Sequence, residues 1–365
     1  MSPKKAIVFG VASLMGASIA HAQSSVTLFG HFDNSLAYVQ GGPGKSTFEM
    51  ADGNHIGSGF GLRGVEDIGG GTKAIFQIEN GFSTPNGAFA ASGSTARMFG
   101  RQAWLGFTND RFGTLTFGRQ YDFMLSGMCR YASGCLLGAP FDRAATTTAT
   151  ISTLLGGNGS NADLDRLGGA RVDNAVKYTS SNFNGVGLSF GSMYGLGGTA
   201  GSLTNGSTYS VYTGYAGGPI SLGLTYTNKQ DQTSDSHYTV LGLGGSYTYR
   251  QFVFDMLLTQ DRWTAHQDVV NGIDVNARYA FSPSFTLLFA YTFSDPNHGS
   301  ANRLMKGKRH TAGCEADYFL SKRTDLYASF AYQKAEDGQK AQFIYQTASS
   351  LSWATMTQIG IRHRF

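Results

Sequence analysis

Between residue 25 and the terminal Phe365, the chain repeats segments of about ten residues in which apolar side chains alternate with small or polar ones. Residues 220–227, for example, read Ile-Ser-Leu-Gly-Leu-Thr-Tyr-Thr. Successive side chains of a β-strand point to opposite faces, so each segment has one apolar and one polar face. No apolar run after residue 22 reaches the roughly 20 residues that a membrane-spanning helix needs. The pattern therefore predicts a chain made of strands.

Two architectures use such strands, and they differ in where the apolar faces point. In a soluble sandwich the apolar faces pack inward, whereas in a membrane barrel they face lipid and the polar faces enclose water. Charged residues make up only 14% of the chain, against roughly 25% in soluble domains. No Pro/Ser-rich linker or change in composition divides the chain. These features favour one all-β transmembrane barrel that takes up the whole length.

The alternating segments number sixteen, and single-chain outer-membrane barrels have an even number of strands. They are 25–39, 53–66, 71–82, 97–109, 112–121, 172–182, 186–195, 207–216, 219–229, 237–249, 251–262, 270–281, 284–294, 309–320, 324–334 and 352–365. Short connections such as 216–218 and 249–250 alternate with long ones such as 83–96 and 295–308. This order is typical of a membrane barrel whose long loops face outside the cell. A soluble sandwich gives no reason for it.

Residues 1–22 have the features of a secretory signal peptide and are not expected to belong to the barrel. Lys4 and Lys5 form a charged start, an apolar stretch follows, and Ala20-His21-Ala22 is a small-x-small cleavage site. The barrel then comprises residues 23–365, and without the two lysines the formal net charge falls from +4 to +2. No clustered basic face indicates a nucleic-acid partner. Export and strand pattern together predict the bacterial outer membrane, with its lipid around the barrel.

About fifty residues between the fifth and sixth segments, from Tyr121 to Arg171, fit no strand. Loops of this length are usually functional or disordered. This one contains many apolar residues, among them Leu125, Leu136 and Phe141, which favour burial. A barrel of about sixteen strands encloses an aqueous lumen wide enough to hold a loop. We therefore expect this third loop to fold into the lumen and narrow it.

Charged residues of the loop and of the wall would then face each other across the narrowed lumen. The loop acids are Asp122, Asp142, Asp163 and Asp165, and the wall candidates on the expected lumen side are Arg63, Glu79, Arg101, Arg119, Arg171 and Lys177. Opposed charges across a narrow aqueous gap favour ions of one sign. If the arginine row of Arg63, Arg101 and Arg119 dominates, anions are mildly favoured. The alternative is that each charge is merely solvated at a rim or in a loop.

Three cysteines allow at most one intramolecular disulfide in an exported chain. Cys129 and Cys135 are close in sequence within the third loop and are the candidate pair, since the periplasm is oxidising. The sequence leaves open whether they are bonded. Cys314 lies on the apolar side of its segment, where we expect a small side chain facing lipid or an interface. Neither a metal site nor a cofactor is expected.

Several stretches together resemble the Gram-negative general porin family of trimeric, sixteen-stranded diffusion channels. One of them reads Gly-Leu-Arg-Gly-Val-Glu-Asp at 61–67. The full set is 25–30 with Asp33, 61–71, 74–82, 101–106, 113–122, 174–180, 320–327 and 360–365. The resemblance covers the whole mature chain, and its stretches are highly specific when taken together.

The resemblance implies a homotrimer, a third loop folded into the lumen and an arginine cluster on the wall as the constriction. The terminal Phe365 resembles the signal by which the barrel-assembly machinery recognises its substrates. One departure stands out. Related chains often have the pattern Ser-Arg-Phe-Gly where this chain has Ser58-Gly59-Phe60-Gly61. Gly59 removes a positive charge from the expected constriction, and so leaves pore width and ion preference open.

The function that follows is passive diffusion of ions and small hydrophilic solutes through a water-filled pore. An outer-membrane hydrolase or protease is one alternative, and it would need a base paired with a nucleophile or activated water. The eight histidines are scattered, and no Gly-x-Ser-x-Gly or His-Glu-x-x-His motif accompanies them. A plugged structural barrel or adhesin is another alternative, which single-channel conductance would separate from a porin. No pattern encodes the size cutoff, the preferred solute or gating.

Overall fold

The computed structural model describes residues 24–41, 45–52, 55–89, 97–142, 144–146, 161–163, 165–167, 170–265, 267–297, 307–343 and 348–365. The predicted signal peptide, 1–22, lies outside these ranges. None of the helices in the described ranges is long and apolar enough to cross a membrane.

Seventeen strands pair into one antiparallel sheet. They are β1 (Ser25–Gln40), β2 (Thr47–Asp52), β3 (Gly59–Gly69), β4 (Thr72–Gly81), β5 (Gln102–Asn109), β6 (Gly113–Tyr121), β9 (Arg171–Thr179), β10 (Leu188–Gly195), β11 (Thr208–Gly217), β12 (Ile220–Gln230), β13 (His237–Tyr249), β14 (Phe252–Trp263), β15 (Asp268–Ser282), β16 (Phe285–Asn297), β17 (Arg309–Phe319), β18 (Thr324–Ala335) and β19 (Trp353–Arg364). The sheet closes because β1 pairs with both β19 and β3. Since β2 and β3 share one edge of β1, the barrel has sixteen wall positions, as predicted.

The two faces of the wall differ as the alternation predicts. On β12, Leu222 and Leu224 are 49% and 43% exposed, whereas Ser221 and Thr225 are 7% and 1% exposed. Large apolar side chains stay exposed on the first face, here called the apolar face. The opposite face, called the polar face, carries most of the small and charged residues. Cys314 pairs in register with Phe289 and Phe330 and so belongs to the apolar face.

The first long connection is shorter than predicted, because part of it forms β2. Residues 53–66 were expected to be one strand, but β3 begins only at Gly59. The reason is a polar anchor on β1: a carboxylate oxygen of Asp33 accepts hydrogen bonds from the backbone N–H groups of His55, at 3.0 Å, and Ile56, at 2.7 Å. Backbone held by this carboxylate is not free to pair with a strand. Similarly, the predicted strand 97–109 begins only at Gln102.

The third loop, between β6 and β9, contains more regular structure than the sequence indicates. Two short helices, α1 (Phe123–Met128) and α2 (Ser133–Leu137), flank a 3-10 turn (Cys129–Tyr131). The three-residue strands β7 (Ala144–Thr146) and β8 (Asn161–Asp163) pair with each other. Cys129 and Cys135 are joined by a disulfide, with their Cα atoms 5.4 Å apart.

Glycines on the polar face provide the space into which the third loop packs. A Cβ atom at Gly223 would lie 2.8 Å from Met128 Cε, and one at Gly242 would lie 2.9 Å from Met124 Cε. A Cβ atom at Gly244 would overlap the Tyr131 ring. The loop side chains concerned are almost fully buried. Removing side chains from the wall therefore lets a separate apolar core form between loop and barrel.

Candidate pore constriction

Arg101 is held against the polar face just before β5. Its Nη1 lies 3.3 Å from Glu79 Oε1 and 3.1 Å from His31 Nε2, and its Nη2 donates to the carbonyl of Gly57. A Cβ atom at Gly59 would lie 2.7 Å from Arg101 Nη1. Gly59 therefore creates the space that the Arg101 guanidinium fills.

Glu79 and Arg63 belong to the same face and differ in how they are paired. Glu79 Oε2 accepts from the side-chain amides of Gln77 and Gln102, each at 3.2 Å, besides its contact with Arg101. Arg63, which pairs in register with Gln77, is exposed. Its guanidinium stands 5.4 Å from the centre of the Phe29 ring, and it has no ion pair among the described residues. Arg63 is therefore the cation of this group that is most accessible to solvent ions.

Lys177 joins the wall to the start of the third loop. Its Nζ donates to Ser126 Oγ at 2.8 Å and to the carbonyl of Tyr121 at 2.9 Å, and stands 4.3 Å from the centre of the Phe123 ring. Two hydrogen bonds and a cation–π contact fix the position of an otherwise flexible side chain. The positive charge stays beside α1 as a result.

Two of the predicted loop acids, Asp122 and Asp165, accept hydrogen bonds from residues of the loop itself. Asp122 caps α1 by accepting from the Leu125 backbone N–H at 3.1 Å and forms an ion pair with Arg166 at 2.5 Å. Asp122 is fully buried and Asp165 is 2% exposed. Asp142 is half-buried next to Gly134, and the side chain of Asp163 lies outside the described residues. We expected these acids to oppose cations of the wall, but the partner of Asp122 is an arginine of the same loop.

Arg119 does not share the face predicted for it. Ala103 pairs with Arg119, and Leu105 pairs with Phe117 two residues away on each strand. Alternation therefore puts Arg119 on the apolar face with Leu105 and Phe117, which are exposed. It is held there by Asp173, which also pairs with Arg97 at 2.9 Å. The assignment of Arg119 to the lumen side is thus corrected.

Arg171 lies at the end of β9, where it pairs in register with Tyr121. Its Nη2 donates to the Tyr121 hydroxyl at 3.1 Å, and its guanidinium stands 5.0 Å from the centre of that ring. Between this pair and the rest of the ladder, two residues of β9, Asp173 and Asn174, stand opposite Arg119 alone. This extra residue is a β-bulge, and Asn174 has a positive φ of 51°.

A second group of charges on the polar face, on β14 to β19, was not predicted as a site. Arg362 forms ion pairs with Asp317, Asp325 and, at 3.7 Å, Glu315. Arg278 pairs with Asp255 at 3.0 Å, and His55 Nε2 lies 3.0 Å from Glu315 Oε1. The four carboxylates and Arg362 are at least nine-tenths buried. We call this group the carboxylate side, and Arg63, Glu79 and Arg101 the arginine side.

The third loop docks beside the carboxylate side. The Ser133 backbone N–H donates to Asp274 at 3.3 Å, and its hydroxyl lies 2.7 Å from Asn276 Oδ1. The Asn276 amide in turn donates to the carbonyl of Tyr131 at 2.9 Å. The period-two pattern puts Asp274 and Asn276 on the polar face, but no local signal indicates that α2 binds them.

Sequence reasoning also missed Lys229, although the pattern could have found it. Lys229 follows Thr225 and Thr227 at intervals of two, and these two residues are 1% and 0% exposed on the polar face. By contrast, Arg166 lies in the third loop, where no periodicity assigns a direction, and Arg97 lies before β5, although the predicted strand begins there. Within the described ranges, no three His, Cys, Asp or Glu side chains are placed to hold a metal ion together.

Comparison with known proteins identifies what the chain resembles. The sequence profile described as "Gram-negative porin" matches residues 9–338. An outer membrane porin protein of Bordetella pertussis is 30% identical over 417 aligned positions, which cover 99% of this chain and 100% of the relative. A structure titled as an anion-selective porin from Comamonas acidovorans is 24% identical, covers 94% of this chain and 100% of that one, and has a TM-score of 0.75. The trimer form of Vibrio cholerae OmpT, folded in vitro, is 14% identical, covers 94% and 99%, and has a TM-score of 0.63.

Proposed function

This chain belongs to the Gram-negative porin family, and we propose that its channel favours small anions over cations. As an outer membrane porin it is a passive diffusion channel and not an enzyme. Ion preference depends on which charged side chains of the polar face act on the ions that cross the channel. The proposal assumes that the polar face lines the channel and that the third loop narrows it.

The exposure of Arg63 carries the proposal, because the acids of the carboxylate side are buried. On the carboxylate side, the four acids are buried and all are paired with cations. On the arginine side, Arg63 is exposed and without an ion pair in the described part of the chain. The other charges described on this part of the wall are the cations Arg101 and Lys177 and the acid Glu79. Charges in contact with water act on passing ions, whereas buried and neutralised pairs contribute little.

A narrowed lumen is supported by the contacts of the third loop. Its helices pack on the face that is opposite the exposed apolar side chains, with Met124 and Met128 against glycines of β12 and β13. In a barrel of about sixteen strands the face away from lipid encloses the water-filled space. The loop would therefore occupy part of the channel cross-section. The acids Asp122 and Asp165 would not present their charge to it, since both are buried.

A homotrimer is the assembly that we propose. Arg119, Asp173 and Arg97 form a charged cluster at the apolar face of β5, β6 and β9. A charge on the lipid-facing surface costs roughly 2–4 kcal/mol at the bilayer midplane and less near the interfaces. Contact with another subunit would remove this cluster from lipid. Native mass spectrometry of the detergent-solubilised protein would give the number of subunits.

Export and insertion complete the proposal. Residues 1–22 would act as the signal peptide, and Phe365 would be recognised by the barrel-assembly machinery. In the folded chain, Phe365 exchanges two backbone hydrogen bonds with Gly30, at 3.0 and 3.1 Å. The last residue thus extends the pairing of β19 with β1 at the seam of the barrel. A recognition signal at this position would be withdrawn once the barrel closes.

Reversal potentials in a planar bilayer test the ion preference. With a potassium chloride gradient across the membrane, the sign of the zero-current potential shows which ion crosses more readily. We expect the sign that indicates that chloride crosses more readily than potassium. A potential of the opposite sign would show that acids outweigh the arginine side, and failure to conduct at all would contradict the open channel.

A further inference from the structure

A polar cavity of about 350 Å³ lies on the barrel wall between β9 and β12, apart from the arginine side. Its lining includes Val172 and Thr208 on the wall, and Lys229 at the end of β12. The exposed side chains of Leu196 and Gln232 also line it, so the cavity opens to solvent. At the roughly 30 Å³ that a water molecule occupies in the liquid, it has room for about ten non-hydrogen atoms.

Lys229 is the chemically distinctive residue of this cavity. It pairs in register with Thr208 and alternates with Thr227, both of which are buried on the polar face. The side chain of Lys229 is half-buried, yet it has no hydrogen bond or ion pair within the described part of the chain. A lysine ammonium has three N–H donors, and a partly desolvated one without an acceptor favours an anionic ligand.

Two carboxylates, those of Asp173 and Asp231, line the cavity themselves, and each already accepts hydrogen bonds from other donors. Asp231 accepts from the backbone N–H groups of Thr233, at 2.8 Å, and Ser234, at 3.0 Å. The two oxygens of Asp173 accept from Arg97 and Arg119. Asp122, which is also within electrostatic reach of Lys229, is paired with Arg166. Of the two cations that line the cavity, Arg171 is bound to Tyr121, whereas Lys229 has no direct partner among the described residues.

We propose that this cavity binds a small organic carboxylate, with Lys229 as the cation that holds the carboxylate group. Asn174, Gln230 and Gln232 line the same cavity, and the second N–H of the Gln230 and Gln232 amides, whose first donates to Asn205 and Gly197, would supply further donors. Val172 and Leu196 provide an apolar wall for a short carbon chain. The inference goes beyond the proposed function, because it assigns a binding site. Ion preference requires only the electrostatic field of the charged side chains. The inference rests on the proposed function through one assumption, namely that the polar face lines the channel.

Ligand-observed NMR titration of the whole detergent-solubilised protein tests the site without a membrane. The probe is butyrate, and its neutral counterpart is butyramide. We expect saturable binding of butyrate only. Lys229→Gln should weaken it roughly tenfold, as expected for loss of a charge-assisted hydrogen bond. Lys229→Arg should retain it, which shows that the site can fold and still bind with a cation at this position.

The matched control is Lys308→Gln, which removes a lysine at the same end of the barrel that pairs instead with Asp295 at 3.6 Å. We expect an affinity within about twofold of the natural protein, since only distant electrostatics change. No saturable binding, equal binding of butyramide, or an equal loss in both glutamine variants would overturn the site. A protein with chloride preference but no butyrate binding contradicts this inference alone. One that binds butyrate but prefers potassium contradicts the proposed ion preference alone.

Discussion

The arginine side and the carboxylate side lie on the same face of one barrel, yet their charges have different environments. Arg63 is exposed, with an aromatic ring as its neighbour. Arg362 is 2% exposed and is surrounded by three carboxylates. An exposed charge acts on ions in water, whereas a buried charge with partners fixes the strands that carry it. Charge counts along a wall therefore say little about ion preference until burial is known.

The two sides also differ in what covers them. The third loop docks near the carboxylate side through Ser133 and Tyr131, which bind Asp274 and Asn276. Nothing comparable covers Arg63 among the described residues. The polar face thus has one half on which the loop is docked and another half on which Arg63 stays exposed. Variants on each half should have effects of different kinds.

The largest effect is expected from Arg362→Ala on the carboxylate side. Removing one partner from a buried ionic cluster typically costs about 3–5 kcal/mol, because the remaining charges stay buried without compensation. The midpoint of urea unfolding in detergent, followed by tryptophan fluorescence, measures this loss. Arg364→Ala is the matched control, since Arg364 binds the same Asp325 but is 43% exposed. It should cost less than about 1 kcal/mol. Equal losses would mean that burial does not distinguish these two arginines.

A smaller loss of stability is expected where the third loop packs on the wall. In Gly244→Ala the added Cβ atom meets the Tyr131 ring, and overpacking of this kind costs about 1–3 kcal/mol. Gly245→Ala adds the same atom on the opposite face, where its nearest neighbour is Leu222 Cδ2 at 3.3 Å. The same unfolding measurement compares the two. If Gly245→Ala were the more damaging variant, the loop would not pack on the face described here.

Arg101→Ala should shift ion preference towards cations. The free-energy change behind this shift is smaller than the two losses of stability above. The substitution removes one positive charge and leaves Glu79 without its ion pair. A unit charge about 4 Å from a passing ion is worth roughly 1 kcal/mol in water, or about fivefold in permeability ratio. Arg323→Ala removes the same charge from the turn between β17 and β18 and should hardly change the ratio. Reversal potentials measure both, and equal shifts would contradict the place of Arg101 beside the ion path.

Much of this arrangement could be predicted from the sequence, because period two decides the faces of a strand. Leu222 and Thr225 lie on the expected faces, and the sixteen wall positions match the sixteen segments. The same rule exposes the error at Arg119, which stands two residues from the apolar Phe117 and so shares its face. Lys229 could have been found in the same way, from Thr225 and Thr227.

Other features depend on contacts between residues far apart in the chain. The pairing of Asp122 with Arg166, 44 residues later, could not be read from the loop sequence. The same holds for Gly59, whose missing side chain makes room for Arg101. His55 and Ile56 likewise stay outside the strand because Asp33, more than twenty residues earlier, accepts hydrogen bonds from their backbone N–H groups. Local patterns predict which face a side chain takes, but not which partner it meets there.

Thiol accessibility at two adjacent positions of β3 tests most directly whether the polar face lines the passage. Arg63→Cys and Leu62→Cys, each made with Cys314→Ser, place a thiol on opposite faces of the same strand on the uncovered half. A negatively charged, membrane-impermeant thiol reagent is added during planar-bilayer recording. We expect the current and the chloride preference to change at once for Arg63→Cys and to stay constant for Leu62→Cys. A response at position 62 with none at position 63 would contradict the account.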